Sequence, residues 1–308
     1  MSSESHHDSP PDRDETAPRV LVLGASGMLG HKLWQVLSTR MDAYSTLRTR
    51  GHPAARLGLL DPARTVVDVV ADSLDTVEHS VASVQPQVVV NCIGIVKQVR
   101  EARDPIQSIS INSLFPHRLA ALCRAEGARL IHVSTDCVFS GRAGHYDESD
   151  IPDPTDLYGR SKLLGEVTDG DGLTVRTSII GRELSGASGL LEWFLAQQEA
   201  VRGFRRAIFS GLTTEALARI LASIISDHPS LSGIWHVASE PISKHDLLCM
   251  LKVAFRSTVQ IIPDDEVVID RSLDGSRFEQ ETGLHAPSWT EMVAQLAADK
   301  TPYERLRS

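Results

Sequence analysis

The chain has 308 residues, 42% hydrophobic and 23% charged, which allows one large or two medium domains around a substantial core. A net charge of −9 and a pI near 5.7 exclude the concentrated basic surface that a nucleic-acid binder needs. Four cysteines (Cys92, Cys123, Cys137, Cys249) show no C-x-x-C spacing, and no apolar run reaches roughly eighteen residues. Reduced thiols in a cytoplasmic protein are expected, without disulfides, zinc site or membrane span.

Met1–Ala17 is rich in Ser, Pro and acidic residues and has no apolar centre, so it reads as a disordered tail in which His6 and His7 are solvated. Arg19–Leu23 is then a buried-strand run ending in glycines, and Met28–Thr39 carries Leu29, Leu33 and Leu37 at helical spacing. Strands are expected at 43–47 and within 66–71, a helix over 74–84, and further strands at 87–90, 129–133 and 173–176. Pro105–Glu126 reads as one long helix stopping at Gly127. Past Gly181 the rhythm loosens: helices are expected over 190–201 and 215–227, a strand over 233–237, and a final helix over 289–298. Strands alternating with helices imply βαβ units and a Rossmann-type, doubly wound parallel α/β fold. The expected division is a dinucleotide-binding domain over 18–182, part of 205–240 returning to it, and a smaller α/β substrate domain over 183–308.

Gly24-Ala25-Ser26-Gly27-Met28-Leu29-Gly30 spells G-x-x-G-x-x-G between the first strand and its helix. Small residues tighten such a turn, and backbone N–H groups at the helix start meet a pyrophosphate. Gly24, Ser26, Gly27, Met28, Leu29 and Gly30 are therefore candidate cofactor residues. The second strand ends in Leu47-Arg48-Thr49-Arg50, with no acid to hold a ribose 2′-hydroxyl. The planar donors of Arg48 suit a 2′-phosphate, so NADP(H) is favoured over NAD(H). Asp68 and Val69 are candidates for the adenine end.

Tyr158-Gly159-Arg160-Ser161-Lys162 places a phenol and an ammonium four apart, on one helical face. An ammonium nearby is expected to lower the tyrosine pKa and make it a usable acid/base. With four Tyr and six Lys, chance supplies about 0.08 such pairs. Upstream, Ser134-Thr135-Asp136 follows a strand, where a hydroxyl would hydrogen-bond a substrate carbonyl.

Together these motifs resemble the extended short-chain dehydrogenase/reductase family, and within it the dTDP-4-dehydrorhamnose reductase group. Val133–Phe139 is similar to that group's S-T-D-Y-V-F stretch, Tyr146–Asp150 to Y-x-E-x-D, and Tyr158–Glu166 to Y-G-x-S-K-L-x-G-E. Arg271–Asp274 matches its R-P-x-x-S-x-L-D segment in part. The resemblance implies that Tyr158 gives a proton to the alkoxide formed when NADPH reduces a C4 ketone. It gives Thr135, or else Ser134, the polarising of that carbonyl, and Lys162 the nicotinamide ribose. Cys92, Ile93 and Gly94 would line the cofactor, and Asn112 would support a water beside the lysine or simply face outward from its helix.

Two departures bear on the substrate. The dehydratases of the family follow their threonine with Asp-Glu, whereas here Asp136 precedes Cys137 and the second carboxylate of water elimination is lacking. The loop after the fourth strand reads Asn91-Cys92-Ile93-Gly94-Ile95-Val96-Lys97-Gln98 instead of N-A-A-A-Y-T-x-V-D. Lys97, Gln98, Ser134 and Asp136 are substrate candidates, and a sugar other than dehydrorhamnose is left open. The expected function is NADPH-dependent reduction of a nucleotide-linked 4-keto-6-deoxysugar. The alternatives are an NAD-dependent sugar-nucleotide epimerase and a non-catalytic NADP-binding subunit, since the resemblance extends to the regulatory subunit of methionine adenosyltransferase. A homodimer is left open; neither metal, nucleic acid nor membrane is expected.

Overall fold

Along the first strand, β1 (Arg19–Leu23), side chains alternate between two separate cores. Val20 and Val22 enter one, Leu21 and Leu23 the other, and all four are fully buried. Such a strand is covered on both faces, which is why its sequence is an unbroken aliphatic run. This computed structural model describes residues 17–307, so the expected tail falls outside the described residues except for Ala17.

Five more strands follow: β2 (Asp42–Thr46), β3 (Thr65–Val66), β4 (Val88–Asn91), β5 (Arg129–Val133) and β6 (Leu173–Arg176). With Gly233–His236 they form a seven-stranded parallel sheet among the described residues, ordered Gly233–His236, β6, β5, β4, β1, β2, β3. The order reverses between β1 and β4, and the crevice beyond their carboxyl ends is where such sheets take a ligand. Helix α1 (Met28–Ser38) and helix Thr214–Asp227 share one core; helices Leu74–Val84 and Phe115–Ala125 share the other. Thus Leu217, Leu221 and Ile224, late in the chain, lie in the same core as Leu29, Leu33 and Leu37.

Beyond β6 the strands are short. Val201–Phe204 pairs with Ile261–Asp264, and Ala207–Phe209 pairs with Ile242–Ser243 and Ile269–Asp270. A bridge between Tyr146 and Leu273 ties this half to the loop before the Tyr158 helix.

Several elements differ from expectation. The third strand is two residues long, because Asp68 takes a left-handed φ of 64° and breaks any extension to Ala71. The span from Pro105 to Ala125 is helical, but a π-helical segment at Ile109–Leu114 divides it. The helix begun at Leu190 stops at Leu195, and Val201 opens a strand instead. Nor does the fold end at the helix Trp289–Ala297: the chain turns at Asp299–Thr301 and adds a short helix, Tyr303–Arg307, against the first half. Among the described residues, no helix is long and apolar enough to cross a membrane.

Candidate active site

The glycine turn is shaped by contacts that exclude side chains. Gly24 has φ +80°, and a Cβ on it would lie 2.9 Å from Ile93 Cγ1. A Cβ on Gly30 would lie 2.2 Å from the Gly24 carbonyl, so α1 approaches the turn more closely than any other residue permits. The Gly24 N–H donates to Thr46 Oγ1 at 3.1 Å, which fixes the turn to the end of β2. Gly27 is the N-cap of α1, without a side-chain cap, and no acid occupies the first turn. The N–H groups of Met28, Leu29 and Gly30 therefore begin a helix with its positive end uncompensated by side chains, a cradle that fits a pyrophosphate. Ser26 sits half-buried beside them.

At the β2 end, Arg48 and Arg50 are exposed. Arg50 Nε lies 3.3 Å from Asp68 Oδ2, so the acid expected near adenine faces a neighbouring cation. Val69 is buried and donates its N–H to the Leu47 carbonyl at 3.1 Å. At the β4 end, Cys92 hydrogen-bonds Leu23 through its N–H, and burial pushes its thiol up to about 12, so it contributes bulk and backbone. Ile93 donates to Asn91 Oδ1, and Gly94 leaves the space in which a Cβ would stand 3.9 Å from Lys162 Nζ.

Helix Leu157–Leu164 carries Tyr158 and Lys162; Asp156 caps it by accepting the Gly159 N–H at 2.8 Å. Two glycines seat it. A Cβ on Gly159 would lie 2.2 Å from the Cys137 carbonyl, and one on Gly165 would lie 1.9 Å from the Asn112 carbonyl. Lys162 is buried, donates to the Val133 carbonyl at 2.8 Å, and is lowered to about 8 by burial, with Glu166 opposing. Tyr158 is pushed well above the usual phenol range by burial and by the neighbouring Cys137, while a hydrogen bond with Thr135 opposes. The lowering expected from Lys162 is outweighed in the free site, where the net shift of the phenol is upward, so at neutral pH it carries its proton.

Thr135 caps the turn Asp136–Val138: its hydroxyl accepts the Cys137 N–H at 3.2 Å and donates to Asp136 Oδ1 at 3.1 Å. Asp136 is buried, and burial raises its carboxyl, with Arg271 opposing. Ser134 turns the other way and donates to Glu166 Oε1 at 2.7 Å. Glu166 is in turn held by Arg176 through bonds of 2.9 and 2.8 Å, so Ser134 belongs to a buried ion-pair network behind the site. Lys97 pairs with Asp156 at 2.6 Å, at the start of the Tyr158 helix. Asn112 does not face solvent: its amide accepts from the Ile95 N–H at 2.9 Å and donates to the Ile95 carbonyl at 3.0 Å, pinning the loop after β4.

Sequence reasoning missed Thr46, Glu166 and Lys244. Thr46 was legible only as the last residue of β2. Glu166 falls four after Lys162, one further turn along the chain. Lys244 acts on the buried Asp136 from a distant segment, which no local pattern reveals.

A parallel sheet of this order, a glycine turn after β1 and a Tyr–Lys pair below the end of β5 define the extended short-chain dehydrogenase/reductase class. Residues 18–301 match the RmlD substrate binding domain family, and the chain belongs to that family. It is 37% identical over 167 residues to a dTDP-4-dehydrorhamnose reductase of Streptomyces griseus, a match spanning 52% of this chain and about half (49%) of that protein. It is 30% identical over 263 residues to methionine adenosyltransferase 2 subunit beta of Danio rerio, spanning 79% of this chain and 77% of that one. A dTDP-4-dehydrorhamnose reductase from Bacillus anthracis, solved in complex with NADP, shares the fold with a TM-score of 0.73 at 20% identity, covering 92% of this chain and all (100%) of that one.

Proposed function

We propose that this protein is an NADPH-dependent reductase of a nucleotide-linked 4-keto-6-deoxysugar, working in a reducing cytoplasm. The observation that carries the reading is the Tyr158 phenol beside the Thr135 hydroxyl, with Lys162 buried on the same helix. A reduced nicotinamide dinucleotide bound across the glycine turn supplies the hydride. The Thr135 hydroxyl hydrogen-bonds the sugar carbonyl oxygen and draws charge toward it. As the carbonyl oxygen becomes an alkoxide, Tyr158 Oη gives it a proton and the phenolate left behind is stabilised by the Lys162 ammonium. Lys162 also reaches the nicotinamide ribose, where its donors replace the bond to the Val133 carbonyl.

The charge pattern supports a nucleotide-linked substrate. Lys244 and Arg271 act on Asp136, and Lys97 and Arg271 act on the adjacent Cys137, so three cations bear on the turn after Thr135 in a chain of net charge −9. Such a cluster suits a diphosphate. The likeness to the Danio rerio subunit keeps a non-catalytic dinucleotide-binding role as the second reading. A spectrophotometric screen of NADPH and NADH oxidation against keto-sugar nucleotides separates them. Stoichiometric NADPH consumption with one 4-keto-6-deoxysugar nucleotide is expected. Dinucleotide binding without turnover across the panel would establish the second reading instead, and product isomerisation without net oxidation would establish an epimerase.

A further inference from the structure

Directly beneath the glycine turn lies a buried polar cluster that the proposed chemistry does not use. His31, fully buried, presents Nδ1 to the Gly27 carbonyl at 2.8 Å and Nε2 to the Tyr303 hydroxyl at 3.0 Å. Tyr303 also reaches Asp299 Oδ2 at 2.7 Å, and Asp299 pairs with Lys32 at 2.6 Å. Lys32 Nζ further donates to Thr301 Oγ1 at 3.1 Å. Arg182, itself paired with Glu192, stacks over the Tyr303 ring at 4.6 Å. Apart from the Gly27 carbonyl, the polar groups that hold these two residues of α1 come from the last ten residues of the described chain.

The chemistry of these groups makes the arrangement directional. A carbonyl has no hydrogen to give, so Nδ1 is the donor to Gly27, and the bare Nε2 of the neutral ring faces the Tyr303 hydroxyl, whose one hydrogen is divided between Nε2 and Asp299 Oδ2. Burial holds the imidazole down at about 4, and it stays neutral. The Lys32–Asp299 pair is nearly enclosed, with side chains 6% and 13% exposed. Burial pushes the Asp299 carboxyl up, but Lys32 and the Thr301 N–H outweigh it and hold it down to about 2. A buried ammonium is tolerated only with such a partner. Without the C-terminal segment, Lys32 and His31 would both have to leave the interior. Gly27, whose carbonyl His31 grips, is the N-cap from which the N–H groups of α1 are aimed.

We infer that Asp299 and Tyr303 are positioning residues of the dinucleotide site, acting through His31 and Lys32 to fix the glycine turn. The inference rests on the dinucleotide reading of that turn given above. It is tested by titrating NADPH against wild-type protein, Tyr303→Phe, His31→Leu and the double variant, following nicotinamide fluorescence, with turnover measured alongside. Tyr303→Phe keeps the ring under Arg182 and so keeps the packing. Each single variant is expected to weaken NADPH binding about five- to tenfold, and the double variant no more than the weaker-binding single, since both break one chain of bonds. Turnover at saturating NADPH and KM for the sugar nucleotide should stay within about twofold, a split that general destabilisation would not produce. NADPH affinities within about twofold of wild type in both single variants overturn the inference, as does a parallel loss of turnover and of both substrates' KM values. Wild-type protein that binds neither NADPH nor NADH overturns the dinucleotide reading itself.

Discussion

At the β5 end of the crevice Thr135, Asp136 and Lys162 are each at most 6% exposed, and burial moves Asp136, Tyr158 and Lys162 away from their ordinary acidities. At the β2 end the charged groups stand in solvent: the side chains of Arg50 and Asp68 are 81% and 62% exposed. The first region is a dry, pre-arranged constellation in which each group's charge state is set by its neighbours. The second is a set of long side chains whose charges are screened and whose geometry adapts to what arrives. Chemistry is therefore expected to fail sharply when the first is altered, and selectivity to slide gradually when the second is.

The largest effect should come from Tyr158→Phe, which removes the proton donor and leaves the ring. Turnover is expected to fall about a thousandfold with NADPH affinity nearly intact, and retention of more than a tenth of the activity would end the proposed mechanism. Lys162→Met should also abolish most turnover while making the protein more stable. The folded-state pKa of about 8 lies below the ordinary 10.5, so below pH 8 the native state bears the burden of a buried ammonium. Between pH 8 and 10.5 the unfolded chain binds the extra proton and wild-type stability rises with pH. The methionine variant should gain about 1–2 kcal/mol at pH 7 by urea denaturation, a gain that fades toward pH 10.5. Equal or lower stability at pH 7 would show that the ammonium is well solvated.

At the open end, Arg48→Ala is expected to reduce the preference for NADPH over NADH about tenfold, read as the ratio of their kcat/KM values, with that loss smaller at high salt. An unchanged ratio would remove Arg48 from the site. Smallest of all, Lys97→Ala should raise KM for the sugar nucleotide about threefold and leave NADPH affinity alone, since Lys97 is half-exposed and already paired with Asp156. Unchanged kinetics would discard it as a substrate contact.

The same contrast explains what the sequence disclosed. The aliphatic strands, the glycine turn and the Tyr–Lys spacing are local patterns with local causes, and a reader of residues 19–30 and 158–162 meets them directly. The short β3 was overestimated because Val66–Ala71 is apolar enough for a strand, while Asp68, of a type that tolerates the left-handed region without requiring it, ends the strand. The π segment around Asn112 serves the bonds between Asn112 and Ile95, seventeen positions apart. Val201 joined a helix in expectation because its apolar spacing continued, whereas its partner Ile261 lies in another segment altogether. Ser134 and Thr135 are neighbours of like chemistry, and only the burial of Glu166 against Arg176 shows that they face opposite ways.

The seating of the Tyr158 helix on Gly159 and Gly165 has a mechanical consequence. With no clearance against the Cys137 and Asn112 carbonyls, that helix works as a fixed jaw. Any narrowing of the cleft around a bound substrate must come from other segments, such as those carrying Lys244 and Arg271. Those segments are where variants that change the accepted substrate should be sought, because they can be reshaped without moving the helix that carries the acid.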